Sequence, residues 1–183
     1  MKKPTLACET SAYRAAPLSP ERALELFDSL EPVAPVEMLG RWRGEGFPTC
    51  HPLDGLLEAW HWYGKRFESA EEVHPLVFRA AGGGLITVDP SRVPVALLRA
   101  SWVGRLKPYG GLFPWLAPLV STRRSAARLR STLHRGKVSA AMLYDHQPIV
   151  DVFRRLDPER LLGVMDCKGM AQPFFFLLRR QVD

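Results

Sequence analysis

The chain has 183 residues, 25 of them Lys or Arg against 19 Asp or Glu, for a formal charge of +6. That length suits one domain around one core, and a hydrophobic content of 46% excludes wholesale disorder. No run of about 18 uncharged apolar residues occurs, which excludes a helical membrane span.

Pro4, Glu9 and Arg14 leave no room for the apolar centre of a secretory signal. Cys8, Cys50 and Cys167 are scattered and share no metal-ligand spacing. They imply no disulfide framework, so a reducing cytoplasm is expected. The basic excess is arginine, dense at Arg123, Arg124, Arg128, Arg130 and Arg135. No helix-turn-helix, zinc finger or aromatic-studded RNA-binding strand accompanies it. A solvated strand face is the expectation there, with no nucleic-acid partner.

In chain order, residues 1–18 read as a loose leader, and 19–183 as a single barrel domain. Ser19-Pro20 starts a helix, with Ser19 as N-cap, Pro20 in the first turn, and Ala23, Leu26, Phe27 and Leu30 as its apolar stripe. Gly40–Gly46 reads as a strand of alternating sides. Asp54–Phe67 reads as a helix, because Leu53, Leu56, Leu57, Trp60 and Tyr63 (or Gly64) recur at helical spacing. On that helix His61 and Lys65 share an exposed face, while Tyr63 presents its hydroxyl to a pocket. Short extended segments follow at 75–79 and 85–88. Residues 93–103 fit a helix or a buried strand, and 110–120, apolar but broken by Pro114 and Pro118, reads as a hydrophobic lid.

The last third is clearer. Runs at 127–135, 138–145, 149–157, 160–168 and 174–180 are separated by short turn signals such as Arg135-Gly136-Lys137 and Asp157-Pro158-Glu159. Connections this short permit only antiparallel neighbours, so a five-strand meander is expected. With two or three earlier strands it closes a small barrel holding one ligand. The fold class is therefore mainly β, a barrel with peripheral helices.

Gly40-x-Trp42-x-Gly44, Thr49-x-His51-Pro52-Leu53 and Trp62-Tyr63-Gly64-Lys65-Arg66-Phe67 form an ordered set with Gly136–Met142, Tyr144–Ile149, Asp151-x-Phe153-Arg154 and Gly163-x-Met165-Asp166-x-Lys168-Gly169. The set resembles the bacterial and fungal GXWXG-motif family with its C-terminal domain of unknown function. The family-like parts span 40–100 and 125–180. G-x-W on a first strand also resembles lipocalin-type barrels and haem-binding nitrobindins. That resemblance implies a lipocalin-like antiparallel barrel but transfers no activity.

Register supplies the site. A tight turn pairing Asp157 with Arg160 sets Asp151 opposite Asp166 on a face shared with Ile149, Phe153, Leu162 and Val164. A turn pairing Tyr144 with Ile149 adds Tyr144 and Met142, and the two-residue period adds Lys168. Opposed carboxylates on an apolar face cannot both ionise cheaply, which suits acid–base chemistry. The bland alternative is an outer salt-bridged cluster of Asp151, Asp166, Lys168 and Arg155. Trp42 is expected as a barrel-closing core aromatic, or else as a ligand contact. The histidines form no metal pair, and no metal or cofactor is expected.

The first expectation is thus an apolar or aromatic small molecule bound in the barrel. Asp151 and Asp166 are the candidate catalytic pair, and Trp42, Tyr63, Met142, Tyr144, Phe153 and Lys168 the candidate ligand contacts. A cofactor-free isomerase, cyclase or lyase on the same barrel is the second, and haem binding a distant third. A homodimer is compatible with the sequence.

Overall fold

The computed structural model describes residues 17–181. Most of the expected leader, and Cys8 with it, lies outside them. Helix α1 (Pro20–Ser29) begins as its sequence dictates, with the Ser19 hydroxyl accepting the Arg22 N–H at 3.3 Å. Strands β1 (Glu31–Pro32) and β2 (Gly40–Gly46) follow, then a one-turn helix α2 (Leu56–Ala59). Strands β3 (Trp62–Phe67), β4 (Val73–Arg79) and β5 (Leu85–Thr87) come next. The segment from 90 to 120 is a chain of short turns containing α3 (Val95–Leu98) and α4 (Phe113–Leu116). Five strands close the chain: β6 (Ala127–His134), β7 (Lys137–Tyr144), β8 (Ile149–Arg155), β9 (Arg160–Cys167) and β10 (Phe174–Gln181).

The five-strand meander forms as expected, each strand antiparallel to the next. The ring β8-β7-β6-β4-β3-β2-β10-β9 returns to β8 and closes an antiparallel barrel, with β1 and β5 as outer additions. Closure removes the unpaired edges that an open sheet would expose.

Two apolar layers hold it. The barrel interior contains Trp42, Phe67, Leu129, Met142, Phe153 and Phe176 among others. A second core lies outside the wall, where Ala23 and Phe27 of α1 cover Ala141, Val152, Leu162, Val164 and Phe175. Strands β7 to β10 are therefore buried on both faces, which explains the near-continuous apolar run Phe174–Leu178.

The helix expected over Asp54–Phe67 does not form. Its apolar spacing is real, but Gly55 (φ 72°) and His61 (φ 61°) adopt left-handed backbone that confines helix to the single turn α2. From Trp62 the chain is extended. Gly64 (φ 149°) permits a close approach, since a Cβ there would stand 2.0 Å from the Trp42 carbonyl oxygen. Pairing of β3 with β4 is irregular on either side of Gly64, so two residues rather than one separate the inward Trp62 and Lys65.

A second correction concerns register. The β7–β8 pairing is as expected, with Met142 opposite Asp151. The β8–β9 pairing is shifted by one residue: Asp151 opposes Met165, and Asp166 opposes Val150. The Asp157 carboxylate accepts the Glu159 and Arg160 N–H groups at 3.0 and 2.8 Å, and both Leu156 and Asp157 donate to the Arg160 carbonyl. The loop thus holds one residue more than a tight turn, and every side chain of β9 changes face. Leu162 and Val164 accordingly pack outward against α1.

Candidate functional site

Inside the barrel a cavity of about 320 Å³ opens beneath the 90–120 segment. Its walls are largely aliphatic and aromatic. Leu53, Leu56, Leu57 and Trp60 come from the turn before β3, and Phe174 and Phe176 from β10. The 90–120 segment acts as its lid, contributing Leu97, Leu98, Val103, Leu106, Phe113 and Val120. The lid is pinned at one end by Gln147, whose Nε2 donates to the carbonyls of Pro90 (2.8 Å) and Val93 (3.2 Å). Trp60 Nε1 donates to the Leu106 carbonyl at 3.2 Å and ties the middle.

Set into this apolar wall is an ion pair. Lys65 Nζ lies 2.8 Å from Asp151 Oδ2, with the two side chains 3% and 1% exposed. The ammonium also faces aromatic rings, 4.9 Å from the centroid of Phe176, 5.6 Å from Trp62 and 5.9 Å from Tyr144. Ring faces of this kind help hold a desolvated cation. Burial pushes the Asp151 carboxyl above the usual carboxylate range, and Lys65 opposes that rise. Asp151 Oδ1 is buried without a hydrogen-bond partner. Burial, with Asp151 and Cys167 adding to it, raises the Tyr144 hydroxyl well above its ordinary value, so it stays protonated. The site therefore offers a neutral hydroxyl and one unpartnered carboxylate oxygen within an apolar chamber.

Of the residues expected to form the site, Asp151 and Tyr144 line the cavity. Met142 and Phe153 point into the barrel but are fully buried in its wall packing, with the Phe153 ring edge-on to Phe67 at 5.9 Å. Trp42 lies in the interior core at 2% exposure; its Nε1 donates to the Met38 carbonyl at 2.7 Å and Arg180 stacks on its ring at 4.3 Å. Tyr63 is not on a helix and does not reach the cavity. Its hydroxyl donates to Gln181 Oε1 at 3.3 Å, and Arg79 covers its ring. Asp166 and Lys168 are exposed on the outside, so the opposed carboxylate pair does not exist.

Sequence reasoning missed Lys65, which it placed on the exposed face of a helix. The signal lay in Trp62-Tyr63-Gly64-Lys65, where a glycine inside a β-compatible run marks a bulge. Thr49-x-His51-Pro52-Leu53 has a structural part: Asp54 Oδ2 accepts the N–H groups of Thr49 and His51 at 2.8 and 2.9 Å, and His51 Nδ1 accepts that of Leu53 at 3.0 Å. This corner delivers Leu53 to the cavity. Gly44 leaves room for the Trp62 ring, since a Cβ there would stand 2.0 Å from it.

The fold is that of a closed antiparallel β-barrel with an apolar internal cavity, an architecture compatible with ligand binding. Residues 25–83 match the family model described as GXWXG protein, and 125–180 match the domain of unknown function DUF4334. A crystal structure of a protein from Thermomonospora curvata is 31% identical, covering 97% of this chain and 98% of that one with a TM-score of 0.71. The chain belongs to the GXWXG family carrying the C-terminal DUF4334 domain. No curated protein matches it significantly. Among the described residues no helix is long and apolar enough to cross a membrane, and no group of three or more His, Cys, Asp or Glu is placed to hold a metal.

Proposed function

We propose that the protein is a cytoplasmic binder of a small apolar or aromatic molecule carrying one neutral polar group. The observation that carries this reading is the apolar cavity of about 320 Å³, whose wall includes Asp151, Lys65 and Tyr144. Pockets of about 300–1,000 Å³ with few convergent polar groups are typical of small-molecule sites. Because Lys65 and Asp151 already neutralise each other, a charged ligand gains no free counter-ion there. A ligand carbonyl or hydroxyl instead suits the Tyr144 hydroxyl and Asp151 Oδ1.

Two measurements test it. Native mass spectrometry of the purified protein should find a co-purified small molecule. Titration with the neutral fluorophore N-phenylnaphthylamine should saturate at one site and be blocked by Leu57→Trp, which fills the cavity. Absence of both a bound molecule and saturable uptake would remove the binding reading.

One observation favours a second reading, that of a cofactor-free isomerase, cyclase or lyase. A buried carboxyl held above its ordinary range, with one oxygen unpartnered, is equipped to move a proton. On this reading Asp151 acts alone, with Tyr144 orienting the substrate. Asp151→Asn would then abolish turnover of a bound substrate while leaving fluorophore uptake in place. The haem reading has weaker footing, since no histidine lines the cavity among the described residues.

A further inference from the structure

The lid is apolar on both of its sides. Val103, Leu106, Gly110, Phe113, Ala117 and Val120, spaced three or four apart, are the inward side, and they face the cavity or the core. The outward side carries Trp102, Tyr109, Leu112, Trp115, Leu116 and Leu119, all exposed, with Trp115 at 74% and Leu119 at 73%. A helical segment that is apolar all round ordinarily has both sides covered. Here the outer side faces solvent, and an exposed cluster of that kind marks an interaction surface.

Charge identifies the occupant. No Asp or Glu occurs anywhere from Pro90 to Tyr144. The lid and its flanks instead carry the exposed Arg99, Arg105, Lys107, Arg123 and Arg124, while Arg92 is paired with Asp89 at 3.8 Å. A second copy of this chain meeting the patch about a two-fold axis would set one basic collar against another, which opposes pairing. Tryptophan, tyrosine and leucine on one side with arginine and lysine around them suit the headgroup boundary of an anionic bilayer.

We propose that the outer side of the lid docks on an anionic lipid surface, with Trp115, Leu116 and Leu119 entering the headgroup region and the basic collar bound to lipid phosphates. This does not depend on what the cavity holds. The same lid closes the cavity from within, so lipid contact on its outer side would couple docking to the entry of apolar molecules.

The test is cosedimentation of the full chain with vesicles of phosphatidylcholine alone and of phosphatidylcholine mixed in equal parts with phosphatidylglycerol. Binding to the mixed vesicles is expected, together with weak binding to the neutral ones and a loss on adding salt. Trp115→Asp combined with Leu119→Asp should abolish sedimentation. Arg123→Glu and Arg124→Glu should each weaken it by at least about fivefold, the effect of one basic residue near an anionic surface. Val138→Asp, an exposed apolar site on the barrel wall, should change nothing. Circular dichroism checks that each variant is folded, and all the altered side chains are exposed. No partitioning onto mixed vesicles, or equal partitioning by the Trp115→Asp, Leu119→Asp variant, would overturn the proposal. So would a dimer in light scattering that this variant dissolves, because the patch would then belong to a second copy.

Discussion

Lys65 on β3 and Asp151 on β8 reach into the same barrel from strands that are not neighbours, and meet there at 2.8 Å. The contact spans the interior rather than a strand pair. Taking two charges out of water costs several kcal/mol each, and their attraction must offset that cost.

Removing one partner leaves the other buried and unpaired. Lys65→Met and Asp151→Leu should each lower stability by about 3–5 kcal/mol, whereas the two substitutions together should come close to wild type or exceed it. Urea melts of the three variants form a double-mutant cycle. Single variants costing under about 1 kcal/mol would show that the pair is hydrated.

Gly44 and Gly82 should respond in opposite ways to alanine. At Gly44 the added methyl meets the Trp62 ring at 2.0 Å, so overpacking of about 1–3 kcal/mol is expected. Nothing lies within 4 Å of the corresponding atom at Gly82, and its φ is not positive. There alanine should be neutral, or stabilise by about 0.4–1 kcal/mol through the unfolded chain. Thermal melts of both variants provide the comparison.

Acid should begin to destabilise the protein in the histidine range. Burial lowers His51 and His74 below their ordinary 6.5, and the Leu53 N–H bonded to His51 Nδ1 requires that nitrogen to be unprotonated. As pH falls through about 6.5, the unfolded chain takes up protons that the folded protein refuses, so stability drops until the lower folded values are passed. Asp151 acts with the opposite sign. Its folded value lies above 3.8, so its contribution declines as pH rises from there toward that value. Melts from about pH 8 to about pH 5 should show the acid slope, reduced in His51→Gln and His74→Gln. A flat profile across that range would contradict neutral, buried rings.

Phe113 joins the lid to the cavity wall, its ring 4.8 Å from Phe78 and 5.0 Å from Trp60. Phe113→Ala should weaken uptake of N-phenylnaphthylamine on the order of tenfold, the cost of about 1.4 kcal/mol of lost contact. Fluorescence titration measures it, and unchanged affinity would mean that the ligand does not reach the lid.

The sequence by itself determined the strands of the meander, the capped helix α1, the apolar stretch 110–120 of the lid and the placing of Tyr144 and Met142 on the face of Asp151. Each is local: alternation, a serine cap, proline-broken hydrophobic runs and a short turn act over a few residues. Tertiary structure alone decided which face Asp166 takes. Strands β8 and β9 are apolar on both sides, because the barrel interior covers one and α1 the other, so a one-residue slip leaves no trace in the hydrophobic pattern. The Asp157 loop, one residue longer than a tight turn, settled it. Lys65 was hidden for a related reason. Leucines and tryptophans at helical spacing masked the left-handed residues Gly55 and His61, and only the bulge at Gly64, made possible by close approach to Trp42, turns the lysine inward to Asp151.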